Sequence, residues 1–151
     1  MENIDRFHSD RSWFWARAEH TTLVIALCVL VGLHAGEVAW PHFLAAFTVI
    51  DLVGYLPGAI AFRRAGGDAI APIYHHLYNV THSYLTGGIG VGIWTLVGGG
   101  PEWAMLAVPI HLSGDRGIFG NAYKPVSLPF ESNISRAAPN DAASQPREES
   151  K

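Results

Sequence analysis

Five ionisable residues lie in otherwise apolar stretches of this sequence, and their side chains are of the types that bind divalent metals. They are Asp51, His75, His82, His111 and Asp115. Zinc, iron and manganese take imidazole and carboxylate ligands. His111 and Asp115, four residues apart, would share one face of a helix, which is the spacing with which paired histidines bind zinc. We predict that His82, His111 and Asp115 hold one of these ions and that Asp51 is a further ligand or a general base.

Residues on either side of His82 extend the predicted site. His75, Asn79, His82 and Thr86 are spaced by four, three and four residues, so one helix would present them on one face. His75 and His82 would be about 10 Å apart along that helix, too far for both to bind one ion at about 2.1 Å. His75 therefore guards the mouth of the site or serves a second ion. Asn79 is predicted as a weak ligand or a hydrogen-bond donor to one, and Tyr55 as part of the same cavity.

A simpler interpretation of these residues is structural. Buried histidine and aspartate side chains can hydrogen-bond to one another and hold membrane helices in register, at about 0.6–2 kcal/mol per pair. That interpretation suits each residue taken singly, whereas the group as a whole favours a functional cavity.

Composition indicates that the elements carrying these residues lie in a membrane. Of the 151 residues, 49% are hydrophobic and only 15% are charged, against about 25% charged in a typical soluble domain. The net charge of −3 gives no reason to expect nucleic-acid binding. Cys28 is the single cysteine, which excludes a disulfide framework and a cysteine metal site.

Four apolar stretches are long enough to cross a bilayer as helices, since a hydrocarbon core of roughly 30 Å needs about twenty residues. They are residues 21–39, 42–62, 72–97 and 102–118, with a kink expected at Pro57-Gly58 in the second. We predict an all-α protein with a four-transmembrane-helix bundle in residues 21–120. Residues 1–20 would form a short interfacial helix at the cytoplasmic surface, and residues 121–151 a cytoplasmic tail that is disordered from about residue 131.

The positive charges predict the orientation of the bundle. Arginine and lysine occur at Arg6, Arg11, Arg17, Arg63, Arg64, Arg116, Lys124, Arg136, Arg147 and Lys151. None lies in the loops around Glu37 and Glu102, so four spans with both termini in the cytoplasm place every positive charge inside. Three or five spans would divide the charges between the two sides.

Three motifs resemble a family of small bacterial integral membrane proteins of unknown function. They are Asp51-Leu-Val-Gly-Tyr55, Tyr78-Asn-Val-Thr-His-Ser-Tyr84, and His111-Leu-Ser-Gly-Asp-Arg-Gly-Ile-Phe-Gly120 followed by Lys124-Pro125. The shared pattern is Asp…Gly-Tyr, Tyr-Asn-x-x-His and His-x-x-x-Asp-Arg-x-x-Gly, and the resemblance covers roughly residues 20 to 130. It implies a multi-pass protein of the bacterial inner membrane. The turn at residues 63–71 and the pair His75-His76 depart from the pattern.

More distantly, the chain is similar to a group of membrane-bound predicted metal-dependent hydrolases. The matching residues are Asp51, Thr81-His82-Ser83, His111 and Asp115. This resemblance implies that a metal-activated water hydrolyses a lipid-derived ester or phosphoester. The alternative is a non-enzymatic membrane protein, either a small carrier or a helical scaffold whose polar core holds register. An enzyme needs an open coordination position and access for a lipid-like substrate, and a scaffold needs neither.

Overall fold

The computed structural model describes residues 10–121 and 123–131, and the regular structure in these ranges is helical, with no strand. The predicted all-α class is confirmed. The predicted start of the interfacial segment, residues 1–9, and the predicted disordered tail from residue 132 onward lie outside the described residues.

Proline and glycine residues mark several of the helix boundaries. They are α1 (Asp10–Leu33), α2 (Trp40–Gly54), α3 (Leu56–Arg64), α4 (Pro72–Thr81), α5 (Tyr84–Gly98), a short 3₁₀ helix (Trp103–Leu106), α6 (Ala107–Gly114) and a π-helical turn (Asp115–Phe119). A proline lies in the first turn of α2, α3 and α4, where its missing N–H costs no hydrogen bond. Gly99, in the left-handed conformation at φ 81°, closes α5.

The first two predicted spans are helical over most of their length, and the first ends at Leu33 rather than at residue 39. Residues 10–20, predicted as a separate interfacial helix, instead continue directly into the first span as part of α1. The second span is interrupted only at Tyr55, just before the predicted kink at Pro57-Gly58, and its helical course resumes at once as α3. By length and apolar composition, Ser12–Leu33 and Trp40–Arg64 are long enough to cross a membrane.

The third predicted span is broken, so the single helix expected over residues 72–97 is wrong. α4 ends at Thr81 and α5 begins at Tyr84. Ser83 has an extended backbone, and its Oγ accepts a hydrogen bond from the N–H of Leu85, which starts a new helix. Thr86 therefore lies on a different helix from His75 and Asn79 and does not share their face. The fourth predicted span is also subdivided, into the 3₁₀ helix, α6 and the π-helical turn.

The elements pack around α6. α1 packs against α6 and the π-helical turn, while α2 packs against α4, α6 and the 3₁₀ helix. One apolar cluster contains Val31, Val38 and Ile110, and a second contains Ala59, Phe62, Tyr78 and Phe130. The polar residues at the candidate site connect the two: His111 contacts Phe47 beside the first cluster, and His82 stacks on Tyr78 of the second.

The outer surface of the bundle is strongly apolar. Only 11% of the apolar window in Ser12–Leu33 and 22% of that in Trp40–Arg64 are buried within the protein. Along α5, which is fully described and is a shorter apolar helix, no residue is buried. Leu85, Leu96 and Val97 on α5 are among the most exposed side chains. The core helix of a soluble protein would be mostly buried, whereas most of the surface of these helices is exposed.

Candidate metal centre

Four side chains that the sequence places in separate stretches converge on one point. Asp51 lies on α2, His82 in the break between α4 and α5, His111 on α6, and Asp115 at the start of the π-helical turn. His82 Nε2 lies 3.3 Å from Asp51 Oδ1 and 3.4 Å from Asp115 Oδ2. His111 Nε2 lies 3.6 Å from each of the same two oxygens. Each imidazole nitrogen is thus faced by both carboxylates.

His82 Nε2 and Asp51 Oδ1 are within hydrogen-bond distance at 3.3 Å, whereas the other three separations, of 3.4–3.6 Å, are close to those between ligands of one ion. Four donors about 2.1 Å from one tetrahedral zinc stand about 3.4 Å apart, whereas charge-assisted N–H···O bonds are about 2.7–2.9 Å long. The donor atoms of Asp51, His82 and His111 all lie within 4.8 Å of one another and could hold a metal ion. Asp115 Oδ2 adds a fourth donor facing both histidines.

Two of the four donor atoms are buried without a hydrogen-bond partner. They are His111 Nε2 and Asp115 Oδ2. A buried polar atom without a partner costs about 1–3 kcal/mol, and native structures contain few of them. A cation between the four side chains would satisfy both atoms at once.

The His82 ring is oriented by the helix it follows. Its Nδ1 lies 3.0 Å from the carbonyl oxygen of Tyr78, and because a carbonyl can only accept, Nδ1 carries the proton and donates. Nε2 faces the carboxylates of Asp51 and Asp115, and a histidine that binds a metal through Nε2 has its Nδ1–H held in this way. The Tyr78 ring stacks on the imidazole with centroids 3.9 Å apart.

Three of the four side chains at the site are largely buried. Only 4% of each histidine side chain and 16% of that of Asp115 are exposed, but 50% of the Asp51 side chain is. Another molecule would therefore reach the site past Asp51. Of the four side chains, Asp51 is also the one that can be displaced from the site most readily.

Gly54 allows α2 to approach the break closely. A Cβ at this position would overlap Thr81 Oγ1 and lie 3.1 Å from His82 Cε1. Sequence reasoning did not single out Gly54 as a site residue, although the glycine in the Asp51-Leu-Val-Gly-Tyr55 motif was the available signal. It brings Asp51 and His82 within reach of each other.

Arg116, which was also not predicted as a site residue, stabilises the break between α4 and α5. Its Nη2 donates to the carbonyl oxygen of His82 at 2.9 Å and its Nη1 to that of Leu112 at 3.0 Å. The guanidinium lies 4.5 Å from the centroid of the Tyr84 ring. Because the carbonyl of His82 lies where the helix is broken, this bond satisfies a group that the helix leaves free.

The residues predicted to surround the metal instead bind the segment 123–131, which we call the strap. Tyr55 donates to Glu131 Oε1 at 2.6 Å, and His75 Nε2 donates to the carbonyl oxygen of Leu128 at 3.2 Å. Asn79 forms two hydrogen bonds with the backbone of Lys124. Because α4 directs His75 and Asn79 toward the strap, His75 does not guard the mouth of the site, and the described residues show no second metal cluster that contains it.

The strap is an ordered part of the fold, although its residues were predicted to belong to the cytoplasmic tail. Phe130 is only 1% exposed and belongs to the second apolar cluster. It fits against Gly58, where any Cβ would overlap its ring. The aromatic residue within a Ser- and Pro-containing segment was the signal for this packing.

Comparison of the chain with protein-family models, with curated proteins and with solved structures finds no match.

Proposed function

We propose that this protein is an integral membrane hydrolase that uses a divalent metal ion to cleave a lipid-derived ester or phosphoester. The observation that carries the proposal is the pair of buried, unpartnered donors, His111 Nε2 and Asp115 Oδ2, at spacings that suit a tetrahedral ion. His82, His111 and Asp115 would hold the ion, whose identity among zinc, iron and manganese the donor types leave open.

Asp51 has the second role in this proposal. When bound, the metal lowers the pKa of a coordinated water and polarises the ester. Asp51 would accept a proton from the attacking water while the oxygen of that water bonds to the carbonyl carbon or phosphorus. The bond from that atom to the ester oxygen would break, and Asp51 would return the proton to the leaving oxygen. The half-exposed Asp51 side chain supports this role because it faces the route by which substrate would enter.

The membrane part of the proposal is a four-span bundle with both termini in the cytoplasm of a bacterium, in the family that the motifs resemble. Two apolar helices of sufficient length and the low burial of their surfaces support it. In this arrangement α4 and α5 together form the third span and residues 102–118 the fourth. The break at His82 is tolerated inside a membrane because Arg116 binds the carbonyl of His82.

Reporter fusions test that arrangement. Fusions after Glu37 and after Glu102 are expected to report the periplasm, and one after Arg64 the cytoplasm. A cytoplasmic signal at Glu37 would exclude the proposed orientation.

A closed structural site is the second candidate function. Four protein donors fill a tetrahedral ion, and catalytic zinc sites keep one position open. If Asp51 never leaves the ion, the centre would hold the helices in register in a scaffold or carry the ion itself. Asp51 Oδ1 lies 3.3 Å from His82 Nε2 and 3.6 Å from His111 Nε2. These distances fit a permanent fourth ligand as well as they fit a ligand that a substrate displaces.

Metal content and hydrolysis, measured on the same detergent-purified protein, separate the candidates. The enzyme is expected to hold about one ion per chain and to release alcohol or phosphate from lipid esters, and Asp51→Asn is expected to lower the rate at least about 100-fold. A full complement of metal without hydrolysis of any lipid ester would favour the structural site. Less than about 0.2 ion per chain after purification without chelator would exclude both metal roles.

A further inference from the structure

The hydroxyl group of Thr81, the last residue of α4, lies directly beside the imidazole of His82. Its Oγ1 is 3.0 Å from His82 Nδ1, and it is also 3.0 Å from the carbonyl oxygens of Leu77 and Tyr78. A hydroxyl has one proton to donate and two lone pairs that accept. Because carbonyl oxygens only accept, the Thr81 proton goes to one of the two carbonyls. A lone pair of Oγ1 is then available to accept the Nδ1 proton of His82.

The other acceptor beside His82 Nδ1 is already in use. The carbonyl oxygen of Tyr78 accepts from the backbone N–H of His82 at 2.9 Å, and it also lies 3.0 Å from Nδ1. Thr81 therefore supplies a second acceptor for the Nδ1 proton. His111 differs in this respect, because its Nδ1 is buried without a hydrogen-bond partner among the described residues. Of the two histidines at the candidate centre, His82 is thus the one whose Nδ1 is hydrogen-bonded.

Helix α2 restricts the position of the Thr81 hydroxyl. A Cβ added at Gly54 would overlap Thr81 Oγ1 and lie 2.9 Å from Thr81 Cβ, so the backbone of α2 lies against this side chain. The hydroxyl is therefore enclosed between α2 on one side and the His82 ring on the other. Since α2 also carries Asp51, this contact relates the position of His82 to that of a second side chain of the candidate centre.

We infer that Thr81 is a positioning residue of the candidate metal centre, and that its hydroxyl holds the His82 ring with Nε2 toward Asp51 and Asp115. The inference rests on the proposed function, because Thr81 has this role only if His82 binds an ion. A group that accepts the second N–H of a metal-binding histidine fixes the orientation of the ring and makes it a stronger ligand. Loss of such a group typically lowers metal affinity about 10- to 100-fold.

A purely structural role for Thr81 makes a different prediction. Threonine hydroxyls in helices bond to the carbonyls three or four residues earlier, and the bonds to Leu77 and Tyr78 are of this kind. They would satisfy the Thr81 hydroxyl without any contribution from His82. In that case loss of the hydroxyl would lower thermal stability and leave zinc affinity unchanged.

Thr95 on α5 provides a matched control. Like Thr81 it is half-buried, and its hydroxyl donates to the carbonyl oxygen four residues earlier, that of Val91, at 2.9 Å. Its other contact is with Met105 Sδ at 3.3 Å rather than with a histidine. Thr95→Val therefore removes the same helical hydrogen bond as Thr81→Val without touching the candidate centre.

The test measures the zinc affinity of the full-length, detergent-purified protein by competition with a chelator. Thr81→Val is expected to weaken zinc binding at least about 10-fold, and Thr81→Ser, which keeps the hydroxyl, to remain within about 3-fold of wild type. Thr95→Val is expected to bind zinc as wild type does.

The outcomes separate this inference from the function on which it rests. Equal zinc affinity in wild type and Thr81→Val would overturn the inference and leave the metal centre in place. An equal loss in Thr81→Val and Thr95→Val, or in Thr81→Val and Thr81→Ser, would also overturn it, because the hydroxyl beside His82 would then not be the cause. Failure of the wild type to bind zinc would overturn the proposed function and the inference together.

A second measurement uses only the wild-type chain, so it stands even if the Thr81 variants do not fold. In the proton–nitrogen NMR spectrum of the zinc-loaded protein, the Nδ1 proton of His82 is expected to show a through-space contact with the Thr81 side chain. Its resonance is expected to lie downfield of that of His111, whose Nδ1 has no hydrogen-bond partner among the described residues. Absence of the contact with Thr81, or equal chemical shifts for the two histidines, would overturn the inference.

Discussion

Two places in this helical bundle pair a histidine with a carboxylate, but in different surroundings. Beside the loop that follows α5, His42 Nδ1 lies 3.2 Å from Glu102 Oε2, with 61% of the histidine side chain exposed. At the break between α4 and α5, His82 Nε2 lies 3.3 Å from Asp51 Oδ1, with 4% exposed. Almost the same distance thus occurs once at the surface and once in the interior.

Burial and the number of partners make these two pairs chemically different. An exposed ion pair contributes about 0–1 kcal/mol, and water satisfies whatever its partner does not. His82 is one of four converging side chains, and two atoms of the others, His111 Nε2 and Asp115 Oδ2, are buried without a hydrogen-bond partner. The comparison indicates that the convergence of buried donors, rather than a histidine–carboxylate pair as such, defines the candidate centre.

Removing one histidine from each of the two places gives the largest expected difference. His111→Ala is expected to weaken metal binding at least about 100-fold, because it deletes a proposed buried ligand. His42→Ala, the matched control at the exposed pair, is expected to leave metal content unchanged. Elemental analysis of both purified variants provides the measurement.

Thermal unfolding of metal-free His111→Ala and metal-free wild type then distinguishes a metal site from a core that is only hydrogen-bonded. If His111 serves the ion, the metal-free variant is expected to match metal-free wild type to within about 2 kcal/mol. Unchanged metal content in folded His111→Ala would contradict the proposed ligand set.

Replacing one carboxylate by an amide of the same shape, at the buried centre and at the exposed pair, tests whether the charge matters only at the buried centre. Asp115→Asn is expected to lower metal affinity about 10- to 100-fold, because an amide oxygen is a poorer ligand than a carboxylate. Glu102→Gln removes the charge from the exposed pair and is expected to change neither metal affinity nor stability by more than about 0.5 kcal/mol. Competition with a zinc chelator measures both affinities, and equal values for the two variants would favour a core that only holds register.

A methyl group added at two glycines gives the smallest expected effect on metal binding. Gly54→Ala would force Thr81 and His82 away from α2, which is expected to cost about 1–3 kcal/mol of stability and a few-fold in metal affinity. Gly32→Ala, on the exposed face of α1 with no atom within 4 Å of its Cβ, is expected to stabilise by about 0.5–1 kcal/mol. Thermal unfolding in detergent is the measurement, and a silent Gly54→Ala would show that the close approach is dispensable.

The four donors could be predicted from sequence because ionisable residues in apolar stretches are costly and therefore informative. The spacing of His111 and Asp115 also gave their shared helix face directly. The helical class followed from composition and length. These features depend on residue type and local periodicity, which a single sequence displays.

The break at His82 and the packing of the strap could not be predicted in the same way. The helical spacing of His75, Asn79, His82 and Thr86 continues through the break, and the cap by Ser83 becomes decisive only once Arg116 binds the carbonyl of His82. The strap depends on Phe130 fitting against Gly58, more than seventy positions earlier in the chain. Both features arise from contacts between distant segments, which local sequence patterns do not encode.

X-ray absorption spectroscopy of the zinc-loaded protein tests the central claim most directly. The account predicts about four nitrogen or oxygen donors at about 2.0–2.1 Å, with the outer-shell scattering of two imidazole rings. In His82→Ala, the same measurement is expected to show one imidazole ring fewer. An oxygen-only shell at the zinc, or a wild-type spectrum identical to that of His82→Ala, would contradict a centre built from His82 and His111.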